Sequence, residues 1–114
     1  MSNFDFLILG HLIGDFLFQT SWMAGKKASQ WLPLVVHAAV YTLIVTIIAW
    51  FAFGGLSLPG IALVFGAHVF LDQRTFVRWW LKTIMRTQSP QADWLGIVSD
   101  QVFHVVVLAI ALYI

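Results

Sequence analysis

The chain has no cysteine and little charge: only 10% of its 114 residues are Asp, Glu, Lys or Arg. Without cysteine there is no disulfide scaffold and no thiolate metal site, so metal chemistry here has to run on nitrogen and oxygen ligands. The shortage of charge stands beside 61% hydrophobic residues and a mean hydropathy of +0.89, which excludes an ordinary soluble domain. A net charge of +1 offers no electrostatic footprint, and no nucleic-acid partner is expected. Low-complexity segments and linkers are also missing, so a single all-α membrane domain is expected.

Measured against the ~20 residues needed to cross a bilayer, the apolar runs fall at roughly 4–23, 33–53, 59–80 and 94–114. Four transmembrane helices nearly exhaust the chain. The first run lacks the Lys or Arg that precedes a signal peptide, carries Asp5 instead, and is interrupted by polar residues, so it is expected to stay in the membrane. Gly54-Gly55 with Ser57, Pro59 and Gly60 predicts a short turn, and Ser89-Pro90-Gln91 predicts a break before the last segment. Gly10, Gly14 and Gly66 are expected at close helix contacts.

All the basic residues cluster in two places: Lys26 and Lys27 after the first segment, and Arg74, Arg78, Lys82 and Arg86 around the end of the third. The positive-inside rule then puts both basic loops in the cytoplasm and both termini outside. The spacing of the last four cations predicts a basic stripe along a helical extension of the third segment, suited to anionic lipid headgroups or to a phosphate. Membrane lipids are therefore the expected partners, in a bacterial inner membrane.

Every histidine lies inside one of these apolar runs, and three of them have an aspartate four residues away: His11 with Asp15, His68 with Asp72, and His104 with Asp100. One helical turn separates the members of each pair, so each can project from one face as a chelate, while His37 stands alone. Ionisable groups at membrane depth are costly and tend to be functional. Trp22, Trp31, Trp79 with Trp80, and Trp94 mark the cytoplasmic ends of the segments, and Trp50 the opposite side. Counted inward from that belt at ~1.5 Å per residue, Asp15, His37, Asp72 and Asp100 share a depth of about 9–10 Å, with His11, His68 and His104 one turn deeper. The reversed order in the fourth segment, Asp before His, is what antiparallel packing requires.

Three carboxylates and four imidazoles in two layers form a ligand set for one or two divalent metals, with zinc, manganese and iron all compatible. The metal would offset the charge of aspartates otherwise bare in hydrocarbon. Gln19, Gln73 and Gln101 lie beside or one turn beyond the acidic residues, as partners of the ligands or as polar contacts between helices. Two alternatives compete: structural ion pairs between the aspartates and Arg74 or Arg78, and a proton or ion path of alternating His and Asp.

The motifs His11-Leu12-Ile13-Gly14-Asp15-Phe16, Gln19-Thr20, Trp22-Met23, His37, His68-Val69-Phe70-Leu71-Asp72 and Asp100-Gln101-Val102-Phe103-His104 resemble the small bacterial and phage membrane proteins grouped as domain of unknown function 3307. The likeness covers nearly the whole chain and implies an integral membrane protein with these His and Asp positions as its signature. A looser resemblance, in general pattern only, connects it to membrane-bound metal-dependent hydrolases. That likeness would make Asp15 and Asp100 catalytic carboxylates, let the metal activate water against a lipid-borne ester or phosphoester, and let Arg74 and Arg78 steady a phosphate. The competing functions are a small proton or divalent-metal transporter, for which a homodimer would help wall off a polar path, and a non-catalytic membrane adaptor. A transporter needs polar residues continuing to the outer face, where the runs are nearly all apolar.

Overall fold

The computed structural model describes residues 1–87 and 91–114. The chain is all-helical, with no strand among the described residues. Its helices are α1 (Asn3–Leu12), α2 (Ser21–Lys26), α3 (Trp31–Phe53), α4 (Leu58–Asp72), α5 (Thr75–Thr83) and α6 (Gln91–Leu112), with a π-helical turn over Ile13–Leu17 continuing α1. The break expected at Ser89-Pro90 lies outside the described residues, and Gln91 already opens α6. Among the described residues, two helices are long and apolar enough to cross a membrane: α3, and α6 over Trp94–Leu112. α4 is apolar but shorter.

Two of the expected continuous segments are broken, for local reasons. The run at 4–23 stops after the π turn because Thr20 is extended and caps α2, its hydroxyl accepting from the Met23 amide at 3.3 Å. The run at 59–80 stops at Arg74, whose φ of 70° is left-handed and redirects the chain into α5. The basic stripe is therefore not an extension of the third segment. Arg74 stands at the start of a separate amphipathic helix, Arg78 and Lys82 lie along it, and Arg86 falls beyond its end. The buried face of α5, Val77 and Leu81, packs with Leu71 against Leu95 and Phe103. Gly54, at φ 90°, ends α3 as expected of the turn there.

α1 packs on α3 and α6, and α4 packs on the same two helices, so the four meet around one interior. Gly10 and Gly14 let α1 and its π turn approach α3 closely: a Cβ at Gly10 would lie 3.4 Å from the Val45 Cα, and one at Gly14 3.2 Å from the Tyr41 ring and 3.4 Å from its Cα. Gly66 plays no such part, since it is exposed and a Cβ would meet nothing within 4 Å. Each helix buries one stripe, running through Gly60, Val64, His68 and Asp72 on α4 and through Gly96, Asp100, His104 and Leu108 on α6. The stripes are apolar at one end, where Leu7, Val45, Ala49, Val64, Leu108 and Ala111 form the core, and polar at the other. The exterior reverses the usual order, with Leu12, Phe16, Leu43, Phe51, Phe70, Val102 and Ile110 all exposed.

Candidate metal centre

The polar end of the interior collects His11 and Asp15 from α1 and its π turn, His37 and Tyr41 from α3, His68 and Asp72 from α4, and Asp100, Gln101 and His104 from α6. The four histidines and the aspartates at 15, 72 and 100 are each no more than 5% exposed. Two groups of potential ligand atoms emerge, Asp15 with His37, His68 and Asp72, and Asp72 with Asp100 and His104. Asp72 belongs to both.

The pairing is mostly between helices rather than within them. His37 Nε2 lies 2.9 Å from Asp15 Oδ1 and 3.3 Å from Asp72 Oδ2. His68 Nε2 is 3.0 Å from Asp72 Oδ2, the one expected chelate whose members approach this closely. His104 Nδ1 lies 3.7 Å from Asp100 Oδ1 but donates to the Asp100 backbone carbonyl at 2.7 Å, and its Nε2 lies 3.4 Å from Asp72 Oδ1. A carbonyl can only accept, so the proton of the neutral ring is on Nδ1 and the Nε2 lone pair confronts a carboxylate oxygen. Only a cation between them, proton or metal, makes that approach favourable.

The separations of Asp72 from its three imidazoles are compatible with ligands around a metal. Metal–ligand bonds of about 2.0–2.1 Å place neighbouring ligand atoms about 2.9 Å apart in an octahedron and about 3.4 Å apart in a tetrahedron. The contacts of Asp72 with three imidazoles span 3.0–3.4 Å, yet neither of its oxygens, nor His68 Nε2 or His104 Nε2, has a hydrogen bond of acceptable geometry. Asp100 Oδ1 is likewise buried without a partner. Backbone bonding of His104 through its second nitrogen is the usual way a protein orients a ligating imidazole.

His11 stands outside both groups because both its nitrogens are engaged. The Asp15 carboxylate accepts from the Gln101 amide nitrogen at 3.3 Å, which turns Gln101 Oε1 toward His11 Nε2 at 2.6 Å. Nε2–H therefore donates, and Nδ1 accepts from the Tyr41 hydroxyl at 2.7 Å. This chain from Tyr41 through His11 and Gln101 holds Asp15 in place. Tyr41 was not among the residues singled out from the sequence, although it follows His37 by the same four-residue spacing that marks the His/Asp pairs.

Of the other candidates, Gln19 is half-buried, its Oε1 has no partner, and it belongs to neither ligand group. Gln73 and Arg78 are exposed. The Arg74 guanidinium lies against α6 at Gly96, 3.3 Å from where a Cβ would stand. Among the described residues neither arginine pairs with an aspartate. The cation that does is Lys27, whose Nζ is 3.0 Å from Asp72 Oδ2. Nothing in the local sequence signals this, since a long side chain reaches back from beyond α2 to the end of α4. On the apolar side of the cluster, the packing of Tyr41, Val64, His68, His104 and Leu108 leaves no water-sized space.

No curated protein and no solved structure matches the chain. A family model described as a protein of unknown function, DUF3307, matches residues 4–114, essentially the whole length, and the chain belongs to that family.

Proposed function

We propose that this chain is an integral protein of the bacterial inner membrane that binds divalent metal in its cytoplasmic half and hydrolyses a lipid-borne ester or phosphoester there. The observation that carries the reading is Asp72, shared by two ligand groups, with its oxygens 3.0–3.4 Å from three imidazole nitrogens, none of them in hydrogen-bond geometry, and with the Lys27 ammonium, 3.0 Å from Oδ2, as the one fixed cation beside it among the described residues. A carboxylate bridging two N/O ligand sets is the arrangement of two-metal hydrolytic sites, where the ions sit about 3.5–4 Å apart. Zinc, manganese and iron(II) suit these ligands.

An apolar exterior around a polar interior supports membrane insertion, with α1 and its π turn, α3, α4 and α6 as four crossing segments, termini outside and basic loops in the cytoplasm. The tight apolar half of the core argues against transport, because Leu7, Val45, Ala49, Val64, Leu108 and Ala111 fill it and Thr42 and Thr46 on α3 are isolated polar side chains there. When bound, the metal would supply a water of lowered pKa and polarise the ester. In the hydrolysis itself the water oxygen bonds to phosphorus or to the carbonyl carbon, the ester bond breaks, and the leaving oxygen takes a proton. On this reading Asp100, whose Oδ1 is buried without a hydrogen-bond partner, would accept the proton from water, and Asp15, hydrogen-bonded to Gln101 and His37, would serve as a fixed ligand.

Metal analysis of protein purified without chelator tests the centre. The wild type is expected to carry one ion per ligand group, Asp72→Ala neither, and Asp100→Ala only that of the Asp15 group. A wild type that holds no metal, as purified or after titration, removes the metal reading and leaves the Lys27–Asp72 pair as a structural network of a non-catalytic membrane protein. Hydrolysis is tested on vesicles of ester- and phosphoester-labelled lipid, and must disappear with EDTA and return with metal.

A further inference from the structure

Lys27 does more than neutralise Asp72. It also lines a cavity of about 260 Å³ whose other walls include Ser29, Gln30, Trp31, Gln73 and Thr75. The polar part of the lining is cationic, hydroxylic and amidic, Ala28, Trp31 and Leu34 supply the rest, and among the described residues no carboxylate lines it. Two helices begin there. α1, α2 and α4 each start with a side-chain cap, from Ser2, Thr20 and Ser57. α3 and α5, starting at Trp31 and Thr75, have none, so their first amide N–H groups are left without a side-chain acceptor. Of the five α-helices whose starts are described, the two without a side-chain cap thus open onto the same cavity, beside an ammonium whose Nζ is 3.0 Å from a carboxylate of the candidate metal centre.

We infer that this cavity is an anion subsite for the phosphate group of the substrate, with Lys27 as its cation; the inference rests on the metal reading above. Positive helix ends and a lysine converging on one hollow favour a compact polyanion over a neutral headgroup. Asp72 holds Lys27 only while no metal claims that carboxylate. Metal at Asp72 frees the ammonium to turn into the cavity it already lines, where it pairs with a phosphate. The substrate class is then a phosphoester, and the phosphate-binding role considered for Arg74 and Arg78 passes to Lys27.

The test titrates inorganic phosphate into zinc-loaded protein in phosphatidylcholine nanodiscs, with zinc content measured on the same samples. Lys27→Met is expected to retain zinc and weaken phosphate binding by about tenfold or more. Gln30→Asp places a carboxylate at the start of α3, so it should raise thermal stability as a helix cap and still abolish phosphate binding. Repeating the titration with phosphatidic acid in the nanodisc identifies the source: displacement of phosphate supports a lipid headgroup, and no displacement supports a soluble phosphate compound. Zinc-loaded wild type that binds no phosphate, or binds it as tightly as both variants do, overturns the subsite alone. Absence of zinc from the wild type defeats the metal reading and the subsite with it.

Discussion

Replacing Lys27 by methionine should tighten metal binding, although lysine is not a ligand. The Nζ–Oδ2 distance is 3.0 Å, with the lysine side chain 16% exposed and that of Asp72 1%. Removing one partner of a fully buried pair costs about 3–5 kcal/mol, and the partial exposure of Lys27 reduces that to about 2 kcal/mol. That cost falls on the metal-free protein, because a bound dication offsets the same carboxylate. Closing the thermodynamic cycle moves the difference into metal affinity, about thirtyfold at ~1.4 kcal/mol per factor of ten. Competition with a fluorescent chelator on nanodisc-embedded protein reads the affinity, and thermal unfolding with and without zinc reads the two stabilities. Lys27→Met should unfold earlier than wild type without zinc and nearly level with it when loaded. Unchanged or weaker zinc affinity would refute the claim that lysine and metal compete for Asp72.

Gly60→Ala should destabilise the protein by about 1–3 kcal/mol, because the new Cβ would lie 2.9 Å from the Ala111 carbonyl oxygen. Gly66→Ala, facing open space, should be neutral or stabilising by about 0.5–1 kcal/mol; equal unfolding temperatures for the two variants would contradict the packing. Tyr41→Phe leaves His11 Nδ1 buried without its donor and should cost about 1–3 kcal/mol while sparing metal content, since Tyr41 belongs to neither ligand group. Loss of metal in that variant would make Tyr41 part of the centre rather than its support.

Much of the interior is legible in the pattern. The four-residue spacing of His68 and Asp72, and of Asp100 and His104, marks the buried stripes of α4 and α6, and depth counted from the tryptophans puts His37 level with Asp15 and Asp72, which it meets at 2.9 and 3.3 Å. The partners of each residue are less legible. His11 and Asp15 look like a chelate on one helix, yet Asp15 turns to His37 and Gln101 while His11 turns to Tyr41. The breaks at Thr20 and Arg74 are hidden by hydropathy, because apolar residues resume on the far side and continue the average.

The helical class, the apolar exterior and the residues that form the polar core follow from the pattern along the chain. These depend on composition and on hydrogen bonds between residues four apart, both of which are local. The sharing of Asp72 by two ligand groups, the position of His11 outside them, and the reach of Lys27 rather than an arginine to the centre emerge when the helices pack. Those outcomes depend on how each helix is rotated about its axis and where long side chains cross between helices. Contacts such as Gly14 against Tyr41 set that rotation, and no periodicity within a single helix encodes it.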